Sequence, residues 1–332
     1  MKQAKIEEGQ QPTQNSNPGW MYVKEGKCSR LSLIVLLMIF NFVCLNDVSL
    51  ETVEIDLPEM EPVELQPFAV IDFPAVNEAS GLVKSRLWKD VFWTHNDSGD
   101  EPRIFPVRED GRIIKPLWMR EYGGIRIPDS VNVDWESITT DDKGNLYIGD
   151  IGNNSNTRRD LCFYIVEEPY PSETVVTRVS KRISFYYSDQ KSIPPKRRNY
   201  DAEAMFWKRG KIYILTKHRS DTYTKLYRLD SMNPFKENPA VPIGRFNCRG
   251  QVSGADISPD GLKLALLTYN SVWLFEVSNN KTDDYFNGKV FWLPIKAVHA
   301  EAICLDGNRI IMANEEGELF RLNKNDLLMM RE

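Results

Sequence analysis

The chain has 332 residues, length enough for one large or two ordinary domains. Its 42 Lys and Arg against 47 Asp and Glu leave a formal net charge of −5 with no long block of either sign, which excludes a nucleic-acid footprint. Eight Trp, 13 Tyr and 15 Phe favour strands over helices, and five cysteines do not make a disulfide framework.

Residues 1–30 are polar and read as a disordered cytoplasmic tail. Residues 31–45 form an apolar run interrupted by Ser32 and Asn41, with Lys24, Lys27 and Arg30 before it and Asp47 and Glu51 after it. Basic before and acidic after is the charge order of a segment whose N-terminus stays in the cytoplasm. Fifteen residues is short for a span of about 20 but suits the apolar part of a signal peptide, although no small-residue cleavage site follows. The readings are an uncleaved signal-anchor, a cleaved signal or a buried core segment. The first two export the rest of the chain: it stands outside the cytoplasm, at the periplasm or cell surface, anchored to the membrane or secreted after cleavage. Residues 46–62 are acidic and carry Pro58 and Pro62, as a stiff linker would.

From residue 77 one pattern recurs: an acidic head, a short apolar strand, a tight turn and a second apolar strand. Asp201-Ala202-Glu203-Ala204-Met205 before Lys211-Ile212-Tyr213-Ile214-Leu215 is the clearest copy. The heads fall at Glu78, Glu136, Glu203, Asp256 and Glu301, and each interval has room for about four strands. The second unit offers strands at 135–140, 146–149, 161–166 and 178–187, the fourth at 255–258, 263–268, 272–277 and 290–294. Asp142-Lys143-Gly144-Asn145, Pro259-Asp260-Gly261 and Asp306-Gly307-Asn308 supply turns. The last unit has three strands and lacks a fourth, while a strand at 63–71 is left over at the start. Placing that strand in the last unit closes a ring and removes a free sheet edge. The fold expected over residues 63–326 is therefore all-β, a propeller of five four-stranded blades closed by an N-terminal strand and preceded by one apolar helix. Six blades require a further blade within the long second unit. A sandwich with accidental likeness between strand pairs is the competing reading.

In a propeller the innermost strands line the channel. Glu78, Glu136, Glu203, Asp256 and Glu301 would then converge on one mouth, where like charges need protons, basic partners or a cation; calcium, with oxygen ligands in loose geometry, suits such a ring. Each acid could instead cap nearby backbone donors. The second strand of each unit returns to the same mouth and brings His95, Asp97, Asp150, Arg158, Lys217, His218 and Glu315. Cations beside carboxylates point to an anionic ligand or to ordinary ion pairing. No serine-nucleophile elbow, zinc-binding histidine pair or phosphate loop is present.

Asn96-Asp97-Ser98-Gly99, Asp134-Trp135-Glu136-Ser137-Ile138, Gly149-Asp150-Ile151-Gly152-Asn153-Asn154, Asp201-Ala202-Glu203-Ala204 and Ser253-Gly254-Ala255-Asp256 together resemble a largely uncharacterised, mostly bacterial group of exported β-propeller proteins. The resemblance covers about residues 75–318 and implies the fold and an extracytoplasmic setting, but no activity. More remotely, the layout is similar to calcium-activated nucleotidases, five-bladed propellers with calcium in the central tunnel. That likeness implies calcium at the acidic heads and a calcium-dependent, nucleotidase- or phytase-like phosphohydrolase as an alternative to a ligand-binding propeller. A protein–protein scaffold is a third reading.

Overall fold

The computed structural model describes residues 50–296 and 299–332. The tail, the apolar run at 31–45 and the start of the linker lie outside the described residues. Among those described, no helix is long and apolar enough to cross a membrane.

The described chain is all-β, with a single 3-10 turn at Lys324–Asp326. Strands β1 (Thr52–Val53) and β2 (Ala69–Val70) come first. Four consecutive meanders follow. They are β3 (Ala79–Lys84), β4 (Phe92–Asn96), β5 (Arg103–Val107) and β6 (Ile125–Arg126); then β7 (Trp135–Thr140), β8 (Asn145–Asp150), β9 (Cys162–Glu167) and β10 (Val179–Tyr187). The third is β11 (Asp201–Lys208), β12 (Lys211–Lys217), β13 (Tyr223–Leu229) and β14 (Asn238–Asn247); the fourth is β15 (Val252–Ile257), β16 (Lys263–Thr268), β17 (Ser271–Glu276) and β18 (Lys289–Pro294). The last group, β19 (Ala300–Asp306), β20 (Arg309–Asn314) and β21 (Glu318–Asn323), takes β2 as its fourth strand, Ala69 opposite Leu319 and Val70 opposite Glu318. The final strand, β22 (Leu328–Arg331), adds to the edge of β18.

Residues 63–71, expected as one strand, divide their pairing. Ala69 and Val70 pair with β21, flanked by backbone bonds from Phe68 and Ile71, while Val63 bridges in parallel to Ile295. Residues of the expected linker also lie on the body: Thr52 and Val53 pair in parallel with Arg245 and Phe246, and Ile55 is buried. β10 and β14 pair in parallel, fusing the second and third meanders into one sheet.

The innermost strands β3, β7, β11, β15 and β19 neighbour one another in a closed cycle. The apolar side chains accordingly fall into clusters, each filled from two adjacent meanders. Trp93 and Ile104 meet Trp135 and Tyr164; Phe163 and Phe185 meet Met205 and Tyr227; Phe206 and Phe246 meet Trp273 and Phe286. Leu274 and Phe291 meet Ile303 and Phe320, and Cys304 and Leu319 meet Phe92 and Phe105. This is the packing of a propeller: every inner strand is covered on both faces, so β11 is buried along its whole length and shows no alternation of apolar and polar residues. The outer β10 alternates instead. The β11–β12 hairpin turns on Arg209 and Gly210, both with positive φ, as a two-residue turn matched to strand twist requires. Cys162, Cys248 and Cys304 are free and buried, small core residues as expected.

Candidate functional site

In all five innermost strands the antiparallel register slips by one residue near the strand start. The slips fall between Ala79 and Gly81, Trp135 and Ser137, Ala202 and Ala204, Val252 and Gly254, and Ala300 and Ala302. A bulge leaves one residue out of the ladder and re-aims its side chain. The bulged residues are Ser80, Glu136, Glu203, Ser253 and Glu301. Three carboxylates and two hydroxyls therefore occupy equivalent places. The Ser80 hydroxyl donates to Glu136 Oε2 at 3.4 Å, and that of Ser253 donates to the Ala300 carbonyl at 2.7 Å.

Glu78 and Asp256 lie elsewhere. Glu78 is exposed two residues before its bulge, in the place that Asp134, Asp201 and His299 take in other units. Asp256 stands near the far end of β15 and accepts the Leu305 amide hydrogen at 2.8 Å. The acidic mouth thus gathers Glu136, Glu203 and Glu301 and leaves Asp256 at the opposite mouth.

Asp97, at the end of β4, and Asp134, just before β7, close on Glu136. One carboxylate oxygen from each lies within 4.8 Å of the others. Gly152 makes room for them. A Cβ there would stand 2.4 Å from Asp134 Oδ2 and 2.6 Å from Glu136 Oε1. Burial, and next the charge of Asp97, push Asp134 up to about 7. Burial, then Glu203, Asp97 and Asp134, push Glu136 well above the carboxylate range. Glu301 is pushed up to about 8, first by burial and then by Glu203, with exposed Glu315 adding to it.

Cations answer the carboxylates around the mouth. Lys217 Nζ lies 2.8 Å from Glu203 Oε1 and donates to the Tyr269 hydroxyl at 2.7 Å; that hydroxyl donates to Glu301 Oε1 at 2.9 Å. Burial opposes the charge of Lys217, but Glu203, Tyr269 and Glu301 outweigh it and hold its pKa above the usual lysine value. Arg219 bridges Asp201 at 2.7 Å and Glu203 at 3.5 Å. Arg158 meets Asp150 at 2.8 Å and Asp160 at 3.1 Å, and donates to the Gly152 carbonyl. The two histidines serve structure. Buried His95 turns Nδ1 to the Asn96 carbonyl and sets its ring against Trp135. His218 lies 2.6 Å from Asp221. Burial lowers both pKa values, which keeps His95 neutral at physiological pH.

Sequence reasoning did not single out Asp134 and Asp201 as site residues. A signal existed for both: each stands two residues before a bulged glutamate. Arg219 and Tyr269 each follow the second strand of their unit, β12 and β16, the place expected to return to the mouth.

These shifts fix a pH dependence. In the unfolded chain Asp134, Asp256 and Glu301 titrate near 4, but in the folded chain at about 7, 7 and 8. Between those values the folded state binds more protons, so its stability falls as pH rises. In chelator, the melting temperature should drop by at least a few degrees from pH 5.5 to pH 8.5. A flat or rising profile would show that the three carboxyls titrate normally.

No protein-family model matches the chain, and no curated protein matches its sequence. Similar solved structures include the major allergen Mala s 1 of Malassezia sympodialis, with a TM-score of 0.50 at 11% identity, covering 76% of this chain and 94% of that one. The aldose sugar dehydrogenase of Streptomyces coelicolor in its PQQ-bound form gives 0.46 at 10% identity, over 80% and 99% of the two chains. A chain of a nidogen/laminin complex gives 0.42 at 10% identity, over 76% and 79%. At these identities the likeness concerns the fold alone.

Proposed function

We propose that this chain is an extracytoplasmic five-bladed binding propeller, held at a membrane by residues 31–45, whose acidic channel mouth binds a divalent cation. The five strand groups and the closed cycle of inner strands support the blade count. The charge order around residues 31–45 supports the anchor. The observation that carries the binding reading is the convergence of Asp97, Asp134 and Glu136 on one point beside Gly152. Among the described residues no lysine or arginine forms an ion pair with any of the three, whereas Asp150, Asp201 and Glu203 all have one. Three carboxylate oxygens without nitrogen or sulfur donors favour a hard cation, and calcium tolerates the loose geometry and added water such a set leaves. Because Lys217, Arg219 and Arg158 are engaged internally, an anionic ligand at this mouth would be held through the cation rather than by them.

The test is a set of melting curves of the full-length protein in chelator and in calcium. At 100 times the dissociation constant, calcium should stabilise the wild type by about 2.7 kcal/mol, a rise of a few degrees. Glu136→Gln should lose most of that shift, and so should Gly152→Ala, whose methyl group displaces two of the carboxylates. Calcium must also expel protons from Asp134 and Glu136, so the binding enthalpy at pH 7 should vary with the buffer's ionisation enthalpy. A wild type indifferent to calcium sinks the reading. The anchor is tested separately: the same full-length protein should sediment with membranes and resist salt extraction, and recovery in the soluble cytoplasmic fraction with its N-terminus intact would refute it.

A further inference from the structure

The opposite mouth of the channel has a different chemistry. The far ends of β3, β7, β15 and β19 enclose a cavity of 340 Å³, walled by Val83, Ile257, Pro259 and Leu305 and edged by Lys84 and Arg86. A second cavity of 190 Å³ shares Arg86 and Pro259 with it and continues outward past Trp207 and Arg209. Arg86 therefore stands at the junction of one continuous cleft.

The cations along this cleft differ in what they face. Lys84 pairs with Asp306 at 2.8 Å, and Lys208 meets Asp283 at 3.3 Å and donates to the Thr282 carbonyl. Arg86 is half-buried, its guanidinium carbon 5.9 Å from the centre of the Trp207 ring, and among the described residues it has no ion-pair or hydrogen-bond partner. Of the carboxyls lining the cleft, all but exposed Asp142 are otherwise engaged. Asp256 is buried on the Leu305 amide, Asp306 is taken by Lys84 and Arg309, and Asp260 by the Ser258 hydroxyl and the Leu262 amide. The guanidinium keeps its nitrogens open to water, so an incoming acceptor displaces no protein partner. Its planar fork matches two oxygens of a carboxylate or phosphate, and the aromatic face beneath it fixes the plane.

We propose that this second mouth is an oxyanion-binding site anchored by Arg86, taking a small organic anion whose carboxylate or phosphate meets the guanidinium. The apolar body of the ligand lies against Val83, Ile257 and Pro259. A volume of 340 Å³ is within the range of small-molecule sites. The site is independent of the cation site at the other mouth, which is lined by other residues.

Calorimetric titration of the full-length protein in chelator, with inorganic phosphate and with succinate as probes, tests it. At least one probe should bind with a dissociation constant on the order of 1 mM or tighter. Arg86→Gln, with an unchanged melting temperature, should weaken that binding at least about tenfold, and Arg86→Lys should fall between. Glu136→Gln should leave it unaltered, which separates this site from the cation site. Tighter binding of succinate assigns the carboxylate, and of phosphate the phosphate. The proposal is overturned if neither probe binds, or if Arg86→Gln binds as the wild type does. It is equally overturned if binding arises only in Asp142→Asn, because Arg86 would then serve exposed Asp142 as an internal pair.

Discussion

Lys217→Met should be destabilised by about 3–5 kcal/mol at neutral pH, the usual result of removing one partner from a buried ion pair. Lys217 is nearly inaccessible, and so is Glu203, its partner at 2.8 Å. Without the ammonium, Glu203 keeps only Arg219 at 3.5 Å, while Tyr269 loses a donor and its cation–π contact, the ammonium lying 4.8 Å from the ring centre. Burial already raises the Glu203 pKa, with Lys217 the main opposing influence. In the variant it climbs further, so the folded state binds the proton more tightly and the deficit narrows as pH falls toward 5. Lys217→Met combined with Glu203→Gln should recover more than half of the lost stability, because the stranded charge is gone. Urea unfolding at pH 5.5 and 7.5 measures all of this. A single variant within about 1 kcal/mol of wild type would show that the pair is solvated and that the mouth is wetter than its burial implies.

The second large effect is expected at the joint between the two ends of the described chain. Ile71 is buried, and its amide donates to the Gly317 carbonyl at 2.8 Å; Phe68 donates to Leu319 at 2.9 Å. Ile71→Ala should lower stability by about 2–5 kcal/mol, the range for emptying a buried aliphatic site. Deleting residues 63–71 should do more. It removes the partner of β21, whose backbone groups at Leu319 and Glu318 then form an open edge that invites association between molecules. Size-exclusion chromatography and thermal melts distinguish the outcomes. A monomeric deletion variant with an unchanged melting temperature would mean that two paired residues contribute nothing to closure.

Much of the fold could be read because its hairpins are local. Glycine turns such as Arg209-Gly210 and aliphatic runs such as Ile212-Tyr213-Ile214-Leu215 place strands without knowledge of the rest of the chain. The site was harder, because a bulge changes register by one residue and acidity alone does not mark where it falls. Acidity drew attention to Glu78 and Asp256, whereas the equivalent places hold Ser80 and Ser253. Small residues around the bulge, as in Ser80-Gly81 and Ser253-Gly254, were the better guide. The chain of contacts Glu203–Lys217–Tyr269–Glu301 crosses three sheets, and such partners are set by topology rather than by spacing. Arg86 escaped notice because a lone arginine in a hairpin turn looks ordinary until its neighbours are seen to have other partners.

The pairing of Ala69–Val70 with Glu318 and Leu319 also sets a timetable. During synthesis the first of these segments leaves the ribosome about 250 residues ahead of its partner. At about 5–20 residues per second, roughly 12–50 s pass before the two can meet. Through that interval the nascent chain carries two unmatched strand edges separated by nearly all of its sheets. The ring locks only once β21 has emerged, so the earliest strands of the domain are among its last to find their place.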